Sequence, residues 1–167
     1  YSFRAFKHHP TDQNSLLDNN ILNIFLDRDG MIWLATAGGG LNMIDPVTEN
    51  FTHYLSNFND SEALSNITVR GIAQDSKGNI WVTTAYGLNK LDRKTGKFTR
   101  FFHDPDNLNS PSTNDLRPIV IDKNDILYMG TDDAEGLNEY DINKNQFKIY
   151  RHKPSDKKSI SNNAVRA

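Results

Sequence analysis

The chain has 167 residues, 24% of them charged, with a formal net charge of −2 and no cysteine. That balance gives no electrostatic case for nucleic acid or an anionic membrane surface. The absence of cysteine excludes a disulfide frame, a thiol nucleophile and a Cys-based metal site. No stretch has the length of uninterrupted apolar residues that a transmembrane helix needs, and none reads as a signal peptide.

Taken in order, the chain repeats itself. Phe3-Arg-Ala-Phe6 matches Phe51–Tyr54, so the chain opens on the last strand of a preceding unit. An apolar strand is predicted at Ile21–Leu26, a turn at Asp29-Gly30, and a second strand at Ile32-Trp33-Leu34. A Gly-bearing loop leads to a third strand at Leu41–Asp45, and a polar turn to a fourth at Phe51–Tyr54. The same four elements recur at Val69–Gln74, Ile80-Trp81-Val82, Leu88–Asp92 and Phe98–Phe101. They recur again at Leu116–Ile121, Leu127-Tyr128-Met129, Leu137–Asp141 and Phe147–Tyr150. The step is 48 residues from Trp33 to Trp81 and 47 from Trp81 to Tyr128. Ser159–Val165 matches Ser15–Ile21, so the chain closes on the start of another first strand.

No segment carries a sustained stripe of helical period. Four short strands per repeat, with an aromatic fixed in the second, indicate an all-β chain built of β-propeller blades. The first strands do not alternate cleanly, as expected where both sheet faces are covered. Gly71 and Ala73 suit the narrow space near a propeller axis. The predicted organisation is one partial propeller of three complete four-stranded blades with one strand of a flanking blade at each end. Residues 1–14 hold the last strand of the preceding blade and its connector. Blades occupy 15–62, 63–109 and 110–158, and 159–167 begin the next. Propellers close with about 4–8 blades, so the expected partners are further blades of the same array. Uncovered blade faces are expected to self-associate.

The repeat signature is Asp27, Gly30, Trp33, Thr36 and Asp45, then Asp75, Gly78, Trp81, Thr84 and Asp92, then Asp122, Tyr128, Thr131 and Asp141. Trp33, Trp81 and Tyr128 suit sugar stacking, but a fixed phase in strand two favours packing between blades. Asp27, Asp75 and Asp122 read as turn formers that accept backbone amides. His8, His103 and His152 recur two positions after the closing aromatic and belong to the connectors, with Ser15, Ser110 and Ser159 before the next first strand. Asp132, Asp133 and Glu135 lie in a loop longer than its two counterparts, and an unrepeated loop feature points to a ligand or cation. Asp27-Arg-Asp29-Gly30 resembles the opening of a calcium loop, but calcium wants about 6–8 oxygen ligands and the downstream Glu is missing at the required spacing, so no metal is assigned. There is no H-E-x-x-H, G-x-S-x-G or P-loop pattern, and Gly38-Gly39-Gly40 lacks the Lys-Ser/Thr of a phosphate loop. No catalytic residue or cofactor is assigned. If the first strand is innermost, the loops joining second to third strands and the connectors share one face. Tyr86, an unrepeated aromatic at a loop tip, is the favoured contact there.

The residues Asp-x-x-Gly-x-Ile-Trp, Gly-Leu-Asn, Asp and Phe-x-x-Tyr, with a His/Pro/Ser connector, resemble the two-component regulator propeller repeats. The likeness runs from Phe3 to Val165. Ala35 and Thr83 stand where the pattern has Gly before Thr. Asp125 replaces the turn Gly and Tyr128 the Trp of the third copy. The resemblance implies a periplasmic sensor region of a Bacteroides-type hybrid two-component histidine kinase, typically with two seven-bladed propellers. It implies recognition of an oligosaccharide to control polysaccharide-utilisation genes. An immunoglobulin-like module, a transmembrane helix, a kinase, a receiver and a DNA-binding domain would follow elsewhere in such a protein. The chain itself would then be non-catalytic. The rival readings are a structural or dimerisation scaffold and a propeller lyase or hydrolase.

Overall fold

The computed structural model describes residues 3–133 and 135–166. Twelve strands follow in order: β1 Ile21–Leu26, β2 Ile32–Thr36, β3 Leu41–Ile44, β4 Phe51–Tyr54, β5 Val69–Gln74, β6 Ile80–Thr84, β7 Gly87–Asp92, β8 Lys97–Phe101, β9 Leu116–Ile121, β10 Ile126–Thr131, β11 Leu137–Asp141 and β12 Gln146–Tyr150. They form three four-stranded antiparallel meanders, β1-β2-β3-β4, β5-β6-β7-β8 and β9-β10-β11-β12. The chain is all-β, and among the described residues no helix is long and apolar enough to cross a membrane.

The hairpins form where the turn chemistry allows. Gly30 and Gly78 take φ of 84° and 87°, and Asp125 takes 62° in their place. Aspartate tolerates this left-handed region better than most residues, because its short side chain bonds locally. The carboxylate ahead of each turn closes it. Asp27 Oδ1 accepts the amides of Asp29 and Met31, both at 2.9 Å. Asp75 and Asp122 repeat the pair on Lys77 and Asn79, and on Asn124 and Ile126.

The sheets stack through their first strands, β1 against β5 and β5 against β9. These strands therefore lie innermost. A Cβ on Gly71 would stand 2.9 Å from Ile119 Cγ2 and from Thr83 Oγ1. Only a residue without a side chain permits that approach.

One apolar cluster fills the space between sheets one and two, with Trp33, Leu41, Val69, Ile72, Ile80, Val82, Leu91 and Phe98. Another, around Ala73, Trp81, Leu116, Ile119, Leu127, Met129 and Tyr140, fills the space between sheets two and three. Trp33 stacks on Tyr54, and Trp81 lies against Phe101 and Tyr140. Tyr128, at the same phase in sheet three, is only half-buried. Its side of the sheet has no fourth sheet against it among the described residues.

The two flanking segments, expected as strands, form none. Residues 3–7 have no ladder, although Phe6 meets Phe51 edge-on at 5.9 Å. Residues 164–166 are likewise not a strand, but Val165 N–H donates to Thr131 O at 2.8 Å. A strand needs a neighbour to complete its ladder, and an isolated bond such as that of Val165 to Thr131 does not make one.

Candidate ligand-binding face

Three features of each repeat build the end of the sheets where the β2–β3, β6–β7 and β10–β11 loops lie. Thr36, Thr84 and Thr131, all fully buried, donate Oγ1–H to the carbonyls of Gly40, Gly87 and Gly136. Those glycines have φ of 68°, 100° and 92°, and a Cβ on each would strike the carbonyl oxygen of Tyr54, Phe101 or Tyr150. Asn42, Asn89 and Asn138 are fully buried. Their Oδ1 atoms accept the amides of Leu17, Ser65 and Ser112, which ties each connector to its sheet.

The connectors are ordered in the same repeated way. His8, His103 and His152 each set Nδ1 against a carbonyl eight residues on, of Leu16, Pro111 and Ile160. Ser15, Ser110 and Ser159 accept the amides of His9, Asp104 and Lys153. Every ring nitrogen used in this way serves the backbone. Among the described residues no three of His, Asp and Glu converge as a metal site.

On this framework the loop tips differ from blade to blade. Tyr86 is 52% exposed and Phe102 39%. Their rings sit 5.3 Å apart with a 48° tilt. Phe102 follows β8 and packs beside Gly87, so it props the Tyr86 ring outward. The backbone of Tyr86 is held in turn, its amide donating to Thr84 Oγ1 at 3.0 Å.

The three acids of the longer loop each have a partner. Asp132 pairs with Arg117 at 2.7 Å and with Arg166. Asp133 accepts Thr113 Oγ1–H at 2.7 Å. Glu135 pairs with Arg151 at 2.8 Å. They share the loop but do not converge on one point.

Sequence reasoning passed over the arginines. Arg70, Arg117 and Arg166 occupy one phase of the repeat, second in each first-strand segment, where blade one has Leu22. The register of β5 on β6 and of β9 on β10 shifts at Arg70 and Arg117, and that of β1 on β2 shifts at Leu22. Bulges of this kind re-aim side chains. Arg70 pairs with Asp115, ahead of β9. Burial lowers its pKa first, and the nearby charge of Arg117 lowers it further against the opposing pull of Asp132. Arg117 Nε is buried with no partner. The repetition at offsets of 48, 47 and 49 was readable, but the bulge that makes it matter was not.

The opposite end carries the hairpin turns and a cleft of about 560 Å³ lined by Asp29, Lys77, Asn79, Asp92, Arg93 and Lys94 among others. Its central arginine is already used. Arg93 pairs with Asp29 at 2.6 Å and lies 5.7 Å over the Trp33 ring. Arg28 and Gln74 tie sheets one and two there, and Ser76 and Asp125 tie two and three. These contacts make the turn end a seam between blades.

The sequence profile of the family described as "Two component regulator propeller" matches residues 15–38 and 63–86. These two stretches of the chain are similar to two-component regulator propeller repeats. The two matched stretches take in Asp27, Trp33 and Thr36, and Asp75, Trp81 and Thr84, the residues that close the turns and hold the Gly loops. The third repeat has the same sheet with Asp125 and Tyr128 in place of Gly and Trp. Histidine kinase P4 of Formosa agariphila is 32% identical over 97 residues, 55% of this chain and 7% of that protein. The extracellular domain of a hybrid two component system from B. thetaiotaomicron is 26% identical, with a TM-score of 0.73 over 87% of this chain and 20% of that one. Virginiamycin B lyase of Staphylococcus aureus superposes at 0.62 with 13% identity, over 88% of this chain and 44% of the lyase. That last likeness is one of fold alone. The chain thus spans a small part of the propeller-repeat proteins it matches.

Proposed function

We propose that the chain is part of the extracytoplasmic, periplasmic ligand-sensing propeller of a hybrid two-component sensor, and that it binds an oligosaccharide on the loop face to control polysaccharide-utilisation genes. The observation that carries this reading is the Tyr86–Phe102 pair. A half-exposed ring, braced from behind at the tip of a rigid loop, is a platform for the apolar face of a sugar ring. The repeat family and the similarity to a hybrid two component system's extracellular domain support the sensor role. Asp132, Asp133 and Glu135, with their partners, form the polar rim of the same face. No acid–base pair or nucleophile is needed, because the task is recognition. Ligand binding shifts a sensor only through different affinity for its two states.

The test is calorimetric titration of the chain with a panel of neutral and charged oligosaccharides. Saturable binding that Tyr86→Ala weakens about tenfold, with unchanged thermal stability, supports the reading. Binding that is insensitive to Tyr86, or no binding across the panel to folded protein, removes it. A scaffold reading is favoured by one observation, the exposed apolar sides of sheets one and three. In that case the blades would serve mainly to pack on further blades or on a second copy.

A further inference from the structure

Three guanidinium groups stand at one phase on successive inner segments, at the loop end of the sheets. Arg70 and Arg117 come from the bulged starts of β5 and β9, and Arg166 from the segment that follows Thr131. Two carboxylates oppose them, Asp115 on Arg70 and Asp132 shared by Arg117 and Arg166. The third acid of the neighbourhood, Asp133, is turned to Thr113. The three carboxylates balance the three guanidinium groups in number, but only two of them pair with arginine. A guanidinium presents five donors in a planar fork. Arg117 commits one terminal nitrogen to Asp132 at 2.7 Å; its Nε is buried without a hydrogen-bond partner, and so are Asp115 Oδ1 and Asp132 Oδ1. An unpaired buried donor on a charged group is costly. The side chain is 34% exposed, so the fork remains reachable from the loop face.

We propose that Arg70, Arg117 and Arg166 form a binding site for an anionic oxo group, a carboxylate or a sulfate, borne by the ligand of the loop face. This deepens the oligosaccharide reading and rests on it, by assigning the ligand an acidic sugar. Two oxygens of the anion meet terminal N–H groups of Arg117 and Arg166, whose side chains reach solvent, in the forked geometry for which arginine is suited. Asp132 keeps its contact with Arg166 and acts as the hinge of the cluster. Asp115 holds Arg70 in place beside Arg117. Two like charges brought together and partly desolvated are the arrangement that an arriving anion relieves. In blade one Leu22 takes the corresponding place, so the site is confined to the arc formed by the second and third blades and the last segment.

The experiment titrates the full chain with sodium sulfate, D-glucuronate and D-glucose, with sodium chloride at matched ionic strength, followed by calorimetry and thermal shift. Glucuronate or sulfate is expected to bind saturably where chloride and glucose do not, and the stronger of the two identifies the group. Arg117→Gln and Arg70→Gln are expected to weaken that binding at least tenfold. Arg117→Lys keeps the charge but loses the fork, and is expected to weaken it about tenfold with the thermal midpoint retained. Should Arg117→Gln fail to fold, the lysine variant decides. Equal shifts with chloride and sulfate, or anion binding unchanged in Arg117→Lys, overturn the proposal. The two readings fail separately: neutral oligosaccharide binding that depends on Tyr86 without any anion preference keeps the first and removes this one. Anion binding that depends on Arg117 and is indifferent to Tyr86→Ala does the reverse.

Discussion

Trp33 Nε1 donates to Asp27 Oδ2 at 2.8 Å, and Trp81 Nε1 repeats the bond to Asp75 Oδ2 at 2.9 Å. One carboxylate does two things. Its Oδ1 accepts two turn amides and its Oδ2 accepts the indole of the next strand, so turn and blade core are fixed together. In the third blade Tyr128 has no such N–H, and Asp122 Oδ2 faces Asn124 Nδ2 at 3.3 Å instead.

That difference predicts unequal costs. Asp75 is 1% exposed, and Asp75→Ala strands a buried indole donor and uncaps the turn. The expected loss is about 3 kcal/mol, at the upper end for a buried unsatisfied group. Asp122→Ala, at a half-buried residue without an aromatic partner, is expected to cost about 1 kcal/mol or less. Urea denaturation of both variants checks the ratio, and equal losses would remove the indole bond as the cause.

The inner strands allow a second prediction. A methyl group on Gly71 meets Ile119 Cγ2 and Thr83 Oγ1 at 2.9 Å and Ile119 N at 3.0 Å. Part of that obstacle is backbone, so the sheets must separate. Gly71→Ala is expected to destabilise by about 1–3 kcal/mol, the range for overpacking a filled core. Denaturant midpoints give the answer directly. A neutral or stabilising result would mean that the inner strands are looser than described.

Much of this fold was legible because the chain supplies its own alignment. Three copies in phase placed the strands within two residues, and put Trp33 and Trp81 between sheets. The ends were misjudged for a physical reason: Phe3–Phe6 and Ser159–Val165 match strand positions, but a strand is defined by a neighbour's ladder. At the site, Tyr86 was readable as the aromatic without a counterpart in the other copies. The pairing of Asp132 and Glu135 was not, because Arg117, Arg151 and Arg166 arrive from other elements. Nor was Phe102, whose exposure depends on how the connector leaves β8.

The turn carboxylates set a pH dependence. Asp45, Asp92, Asp122 and Asp141 are held below the usual aspartate value of 3.8. The leading cause is the amide of Val47 for Asp45, of Lys94 for Asp92 and of Ile126 for Asp122, and the Lys144 side chain for Asp141. A depressed folded-state pKa contributes stability that is fully present above the unfolded value and is lost as pH falls through the folded one. Thermal midpoints are therefore expected to hold from about pH 7 to 5 and to fall below about pH 4. Asp122→Asn should flatten part of that fall. A midpoint that instead declines between pH 7 and 5 would remove these carboxylates as the cause.

The outermost sheets give the last prediction. Ile24 is 66% exposed, while its counterparts Ile72 and Ile119 are 5% and 7% exposed against the preceding sheet. Leu26 is 66% exposed on the same strand, and Val120 is 61% exposed on the far side of sheet three. Identical positions are thus core in one blade and surface in another, and apolar area left in water favours association by about 25 cal/mol per Å² covered. Light scattering is expected to show a mass that rises with concentration. Ile24→Lys with Leu26→Lys should lower that mass without a loss of thermal stability, because neither side chain supports the sheet it extends from. Monomer at every concentration would show that these faces are tolerated in water. An oligomer indifferent to the two lysines would move the contact to the Val120 and Tyr128 face of sheet three, where Val120→Lys tests it in the same way.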